Sequence, residues 1–100
     1  MISKAELNYE TLYILPLLRK GEILSYETQP QFTLWEKSEL GRKIRFTPDF
    51  LIECKGKTVI VEMKSAFVKK YQRDFMLRWR RLKELHPEYE YRLEKSEDWS

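Results

Sequence analysis

Apolar and polar positions along this 100-residue chain follow two periods. Over residues 44–52 they alternate, with Ile44, Phe46, Pro48, Phe50 and Ile52 facing one way and Arg45, Thr47, Asp49 and Leu51 the other. Alternation resumes after Gly56. Val59, Val61 and Met63 make a wholly apolar face, while Thr58, Ile60, Glu62 and Lys64 turn from apolar to charged towards the C-terminal end of the run. Two such runs joined at Lys55-Gly56 predict a β-hairpin with a tight turn. If the hairpin is symmetric about that turn, Asp49 lies opposite Glu62, and Lys64 shares the face of Glu62 because strand side chains alternate. Pro48 cannot donate to the ladder, so the first strand is an edge there or bends.

The helical period governs both flanks. Ser3 fits an N-cap and Glu6 the third helical position, a capping box, with Ile2 and Leu7 as a hydrophobic staple. Leu7, Ile14, Leu15 and Leu18 suit a buried stripe, Pro16 predicts a kink or division, and Gly21 a stop. Residues 23–28 and 31–35 read as short strands separated by Gln29-Pro30, and residues 36–41 as a polar loop. A long helix is predicted over residues 66–85, with Phe67, Tyr71, Phe75, Trp79, Leu82 and Leu85 on its core face and Lys69, Arg73, Arg80 and Lys83 opposite. His86-Pro87 ends it, and residues 89–93 form a last strand. The class is α/β: a mixed sheet of about four to five strands flanked by an N-terminal helix and a long basic helix. Residues 1–95 make one domain and residues 96–100 a tail.

Composition adds limits. With 42% hydrophobic residues and only three Gly and four Pro, the chain can build a core and has little linker. The lone cysteine, Cys54, excludes an internal disulfide and fits a reducing compartment. No signal-peptide pattern and no membrane-spanning apolar run is visible, so the expected location is cytoplasmic, with no membrane partner. Net charge is only +3, but residues 69–83 carry seven basic side chains (Lys69, Lys70, Arg73, Arg78, Arg80, Arg81, Lys83) against Asp74 alone. A local basic face on a near-neutral protein points to a polyanion.

The chemistry sits on the hairpin. Facing carboxylates repel, and a fold that keeps Asp49 opposite Glu62 needs something positive between them. Asp, Glu and Lys gathered on one face, at a strand's exit from the sheet, read as a metal-dependent phosphodiester-cleaving site. Carboxylate oxygens suit Mg²⁺ or Mn²⁺. The capping box alone accounts for Glu6, and a catalytic carboxylate from the first helix is the competing reading; Glu10, one turn on, is the fallback. The basic helix face, Lys69, Lys70, Arg73, Arg80 and Lys83, is read as contacting phosphates, with binding that weakens steeply in salt. Trp79 and Tyr71 read as core and His86 as a helix-end residue. Cys54 has no partner for a zinc site.

These residues resemble the PD-(D/E)xK nuclease superfamily, whose fold is restriction-endonuclease-like; the block "TPDF…VEMK" carries the likeness. Within that group the chain is most similar to phage junction-resolving enzymes of the endonuclease I type, through "SKAELNYE", "YETQPQF", "RFTPDFLIECKGKTVIVEMKS" and "LKELHPEYEYRL". The resemblance implies Asp49 and Glu62 as metal ligands beside the main-chain carbonyl of Met63, and Glu6 bringing a carboxylate to a second metal. Lys64 would orient or deprotonate the attacking water and stabilise negative charge. It further implies a Mg²⁺- or Mn²⁺-dependent homodimer in a phage or its bacterial host, hydrolysing four-way or other branched DNA to 5′-phosphate and 3′-hydroxyl ends. Two rivals are a partner-dependent endonuclease subunit similar to those of heteromeric transposases and a non-catalytic DNA-binding module of the same fold. Metal-dependent binding without cleavage would favour the second.

Overall fold

The structure, a computed structural model, describes residues 3–37, 41–65 and 72–100. Ser3 opens helix α1 (Lys4–Tyr9): its side chain accepts the Glu6 N–H at 3.2 Å. The helical path then runs through a π-turn (Glu10–Ile14), in which the Leu15 N–H reaches back to the Glu10 carbonyl, into α2 (Leu15–Lys20). Pro16 explains the widened turn, since it offers no N–H and its ring crowds the carbonyl four residues back. The extra residue shifts the phase of everything before it. Leu7, predicted to be buried, is 53% exposed, and Ala5 and Tyr9 face inward instead, while Ile14 is buried as expected. Gly21, left-handed at φ 82°, closes α2. Its N–H bonds to the Leu18 carbonyl and that of Glu22 to Leu17, both of which a residue with a Cβ would strain to form. The Ile2 half of the predicted staple lies outside the described residues.

Four strands form the main sheet in the order β1 (Ile23–Thr28), β4 (Phe50–Cys54), β5 (Lys57–Lys64), β6 (Glu90–Lys95). The first three are antiparallel and β6 lies parallel to β5. Strands β2 (Phe32–Trp35) and β3 (Ile44–Phe46) form a separate two-stranded sheet. The single strand predicted over residues 44–52 is therefore two. Pro48 breaks it, and the break reverses facing: Phe46 packs with Leu34, Ile60, Phe75, Trp79 and Leu82, whereas Phe50 and Ile52 pack with Tyr9, Ile14, Val59 and Val61. Gln29 adopts φ 51°, a conformation side chains rarely take, where the chain leaves β1 for β2.

Each face of the sheet thus carries its own core. Helices α1 and α2 cover Phe50, Ile52, Val59, Val61 and Met63. Helix α3 (Gln72–Leu85) covers the other face through Phe75, Trp79 and Leu82. Leu85, predicted on that core face, is exposed at the helix end, and Phe67 and Tyr71 lie outside the described residues. Residues 96–100, read as a tail, instead hold a short 3₁₀ turn (Ser96–Trp99) against α1. Trp99 meets the Tyr9 ring edge-on at 4.8 Å and its carbonyl accepts the Asn8 amide at 2.6 Å. No helix among the described residues is long and apolar enough to cross a membrane.

Candidate active site

The hairpin keeps the symmetric register that its turn predicts. Phe50 pairs with Val61, Ile52 with Val59 and Cys54 with Lys57; the ladder ends at Phe50, and just beyond it the Asp49 carboxyl lies beside that of Glu62. Three hydrogen bonds pin Asp49 in place. Its N–H donates to the Val61 carbonyl at 3.2 Å, its carbonyl accepts the Gln29 N–H at 2.8 Å, and its Oδ2 accepts the Met63 N–H at 2.7 Å. The side chain thus takes the place of a missing ladder partner, because Pro48 has ended the strand. The strained Gln29 holds the same residue from the other side.

Glu62 projects beside Asp49 from a half-buried position. Burial pushes its carboxyl up to about 9, the hydrogen bond to Asp49 and the Asp49 charge push the same way, and Lys64 opposes them. Glu6 reaches the cluster from α1. Its carboxyl is pushed up to about 7 by burial, by a hydrogen bond to Asp49 and by the Asp49 charge, while the Ser3 N–H that it also accepts lowers it. Glu6 therefore makes two contacts at once: it closes the capping box and reaches the Asp49 carboxyl. Glu10 does not. It accepts the Tyr26 hydroxyl at 2.6 Å.

Asp49 is the middle member of a chain of three carboxyls, Glu6, Asp49 and Glu62. Among the described residues no three acidic, His or Cys side chains converge tightly enough to enclose an ion as they stand. The donor chemistry nevertheless fits a hard divalent cation: every donor is a carboxylate oxygen, and the repulsion that raises Glu6 and Glu62 is what a cation would relieve.

Lys64, two residues past Glu62, lies with its Nζ 3.7 Å above the centre of the Phe75 ring. It lines a cavity of about 270 Å³ with Phe46, Asp74, Phe75 and Arg78. The ring's negative face attracts the ammonium and fixes its position near the end of β5. Sequence reasoning passed over Phe75 and Arg78 as site residues. Their spacing of three on α3, which puts both on the turn that meets Lys64, was the available signal. Of the predicted phosphate contacts, Arg80 and Lys83 are exposed on α3, and Lys83 lies 5.7 Å from the Trp79 and Tyr91 ring centres. Arg73 lies in the first turn of α3, and Lys69 and Lys70 lie outside the described residues.

Comparison with protein-family models, with curated proteins and with solved structures finds no match to this chain.

Proposed function

We propose that this chain is a divalent-metal-dependent DNA endonuclease with a restriction-endonuclease-like core, acting on branched DNA such as a four-way junction. The observation that carries the reading is the carboxyl chain of Glu6, Asp49 and Glu62 with Lys64 beside it at the exit of β5. The element order also supports it: a helix, an antiparallel hairpin bearing the acids, a basic helix, then a strand added parallel to β5.

In this reading Asp49 and Glu62 would hold Mg²⁺ or Mn²⁺ together with the Met63 carbonyl, and Glu6 would bring a carboxylate to a second ion. The bound ion supplies charge neutralisation at the phosphate and acidifies water at neutral pH. Asp49 is fixed for this task by its bond to the Met63 N–H. Lys64, charged over Phe75, donates to the negative charge that develops as water attacks phosphorus in line. Its role in this reading is electrostatic. Arg80, Lys83 and Arg78 then contact flanking phosphates. A two-fold dimer would place two such sites across a junction, as paired cuts require.

The test is cleavage of a labelled four-way junction beside a linear duplex of matching sequence, with Mg²⁺ and with EDTA. Symmetric, metal-dependent cuts confined to the junction are expected. Equal cutting of both substrates would leave a general nuclease, and binding without cutting would overturn the catalytic reading.

A further inference from the structure

A cavity lies away from the acidic cluster, at the hairpin-turn end of the sheet. It measures about 420 Å³ and opens between α2 and strands β1, β4 and β5. Val59 on its wall precedes Glu62 by three strand residues, roughly 10 Å along β5. The volume falls within the range that holds a small organic molecule.

Its walls divide by chemistry. Leu17, Ile23, Ile52 and Val59 supply an apolar floor, and Ile23, Ile52 and Val59 are themselves buried core residues. The mouth is basic: Lys55, Lys57 and Arg92 line it, with Glu22 as the only acid among the lining residues. Glu90 sits close by and pairs with both Lys57 (3.4 Å) and Arg92 (3.0 Å), which leaves Lys55 with no ion pair among the described residues. Arg92 also donates from Nη1 to the Tyr13 hydroxyl at 2.8 Å. These contacts engage Nε, Nη1 and Nη2 of the guanidinium, each through one N–H, and hold it in place at the cavity wall. Near Arg92 and the Tyr13 ring lies the fully buried Tyr9 hydroxyl, the one buried side-chain polar atom without a well-formed hydrogen bond among the described residues.

We infer that this cavity is a second binding site, distinct from the acidic cluster, for a small organic anion whose apolar body rests on Leu17, Ile52 and Val59 and whose carboxylate, sulfonate or phosphate meets Arg92 and Lys55. An apolar floor alone would take a neutral ligand, and a basic rim alone a bare phosphate. The two together require both properties in one molecule.

Cys54 makes the test site-specific, because the chain's only cysteine lines this cavity. The rate of Cys54 alkylation by iodoacetamide is measured by mass spectrometry on the folded chain in EDTA, with 1-naphthoate, with the neutral 1-naphthalenemethanol and with inorganic phosphate. Naphthoate at ten times its dissociation constant is expected to slow alkylation about tenfold. The neutral compound should need about tenfold more for the same protection, the value of one charge-assisted contact, and phosphate should give none. Leu17→Trp, which fills the cavity from the half-buried helix position, should abolish protection by naphthoate. Lys55→Gln, on the exposed turn, should weaken it while leaving the thermal midpoint unchanged. No protection by naphthoate, equal protection by the neutral compound, or equal protection by phosphate would each overturn the inference. None of these readings involves DNA, so the outcome is independent of the nuclease proposal.

Discussion

Replacing Glu62 with glutamine should make the metal-free protein more stable, not less, and should remove most of its pH dependence. The Glu62 carboxyl is pushed from about 4.5 to about 9 by burial and by Asp49. Across that interval the folded chain holds a proton that the unfolded chain has released. The stability belonging to this group is therefore fully present below about pH 4.5 and is lost as pH rises towards 9. A shift of that size corresponds to at most about 6 kcal/mol, and solvent reaching the half-buried site brings the working figure to about 3 kcal/mol. Glu6 adds to the loss in the same direction between about 4.5 and about 7. Glutamine keeps the shape, donates an amide N–H to Asp49 and has no charge to bury. Thermal and urea unfolding in EDTA at pH 5 and pH 8.5 provide the assay. Wild type should lose stability between the two, and the variant should exceed wild type at pH 8.5 by roughly 12 °C or more in midpoint. A wild-type profile that is flat from pH 5 to 9, or a variant less stable than wild type at pH 8.5, would refute the argument that carboxyl repulsion governs this site.

Three further outcomes follow from the same geometry. Mg²⁺ at one hundred times its dissociation constant should stabilise wild type at pH 8 by about 2.7 kcal/mol and leave Glu62→Gln largely unmoved, as read by thermal shift. Arg80→Gln and Lys83→Gln should each weaken DNA binding at all sequences and lower the slope of log affinity against log salt by about one, as read by fluorescence anisotropy. Gln29→Gly should stabilise the fold by about 0.5 to 1 kcal/mol in urea melts, because Gln29 sits at φ 51° and glycine adopts that conformation without strain.

The hairpin was legible in the sequence because two local rules agree on it. Alternation fixes which side chains share a face, and the Lys55-Gly56 turn fixes the register from Cys54 to Phe50, so the approach of Asp49 to Glu62 could be read before any coordinates. The break at Pro48 was legible as a break but not as a change of sheet. Residues 44–52 alternate without interruption, and the facing reversal depends on Phe46 finding its partners on α3. The stripe on the first helix was misplaced for a different reason. A π-turn adds one residue to the helical count, so Leu7 falls outside and Tyr9 inside, and only the packing against Phe50 and Trp99 selects that phase. Trp99 looked like part of a solvated tail because its partners, Tyr9 and Asn8, lie ninety or so residues away in sequence. Within the site, Glu6 was visible as a cap, whereas its approach to Asp49 is a tertiary fact. The ring beneath Lys64 was hidden in the same way, since Phe75 serves the core and the site at once.

In the proposed function Asp49, Glu62 and Lys64 hydrolyse phosphodiesters with a divalent cation. The most direct measurement is the rate of strand cleavage in a labelled four-way junction by wild type, Asp49→Asn and Lys64→Met, in Mg²⁺ and in EDTA. Asparagine is the cleaner replacement than alanine, because its amide oxygen can still accept the Met63 N–H that Asp49 holds at 2.7 Å. The account predicts Mg²⁺-dependent cleavage by wild type and a loss of about a hundredfold or more in both variants, with unfolding midpoints close to wild type. Cleavage by either variant at the wild-type rate, or wild-type cleavage undiminished by EDTA, would contradict it.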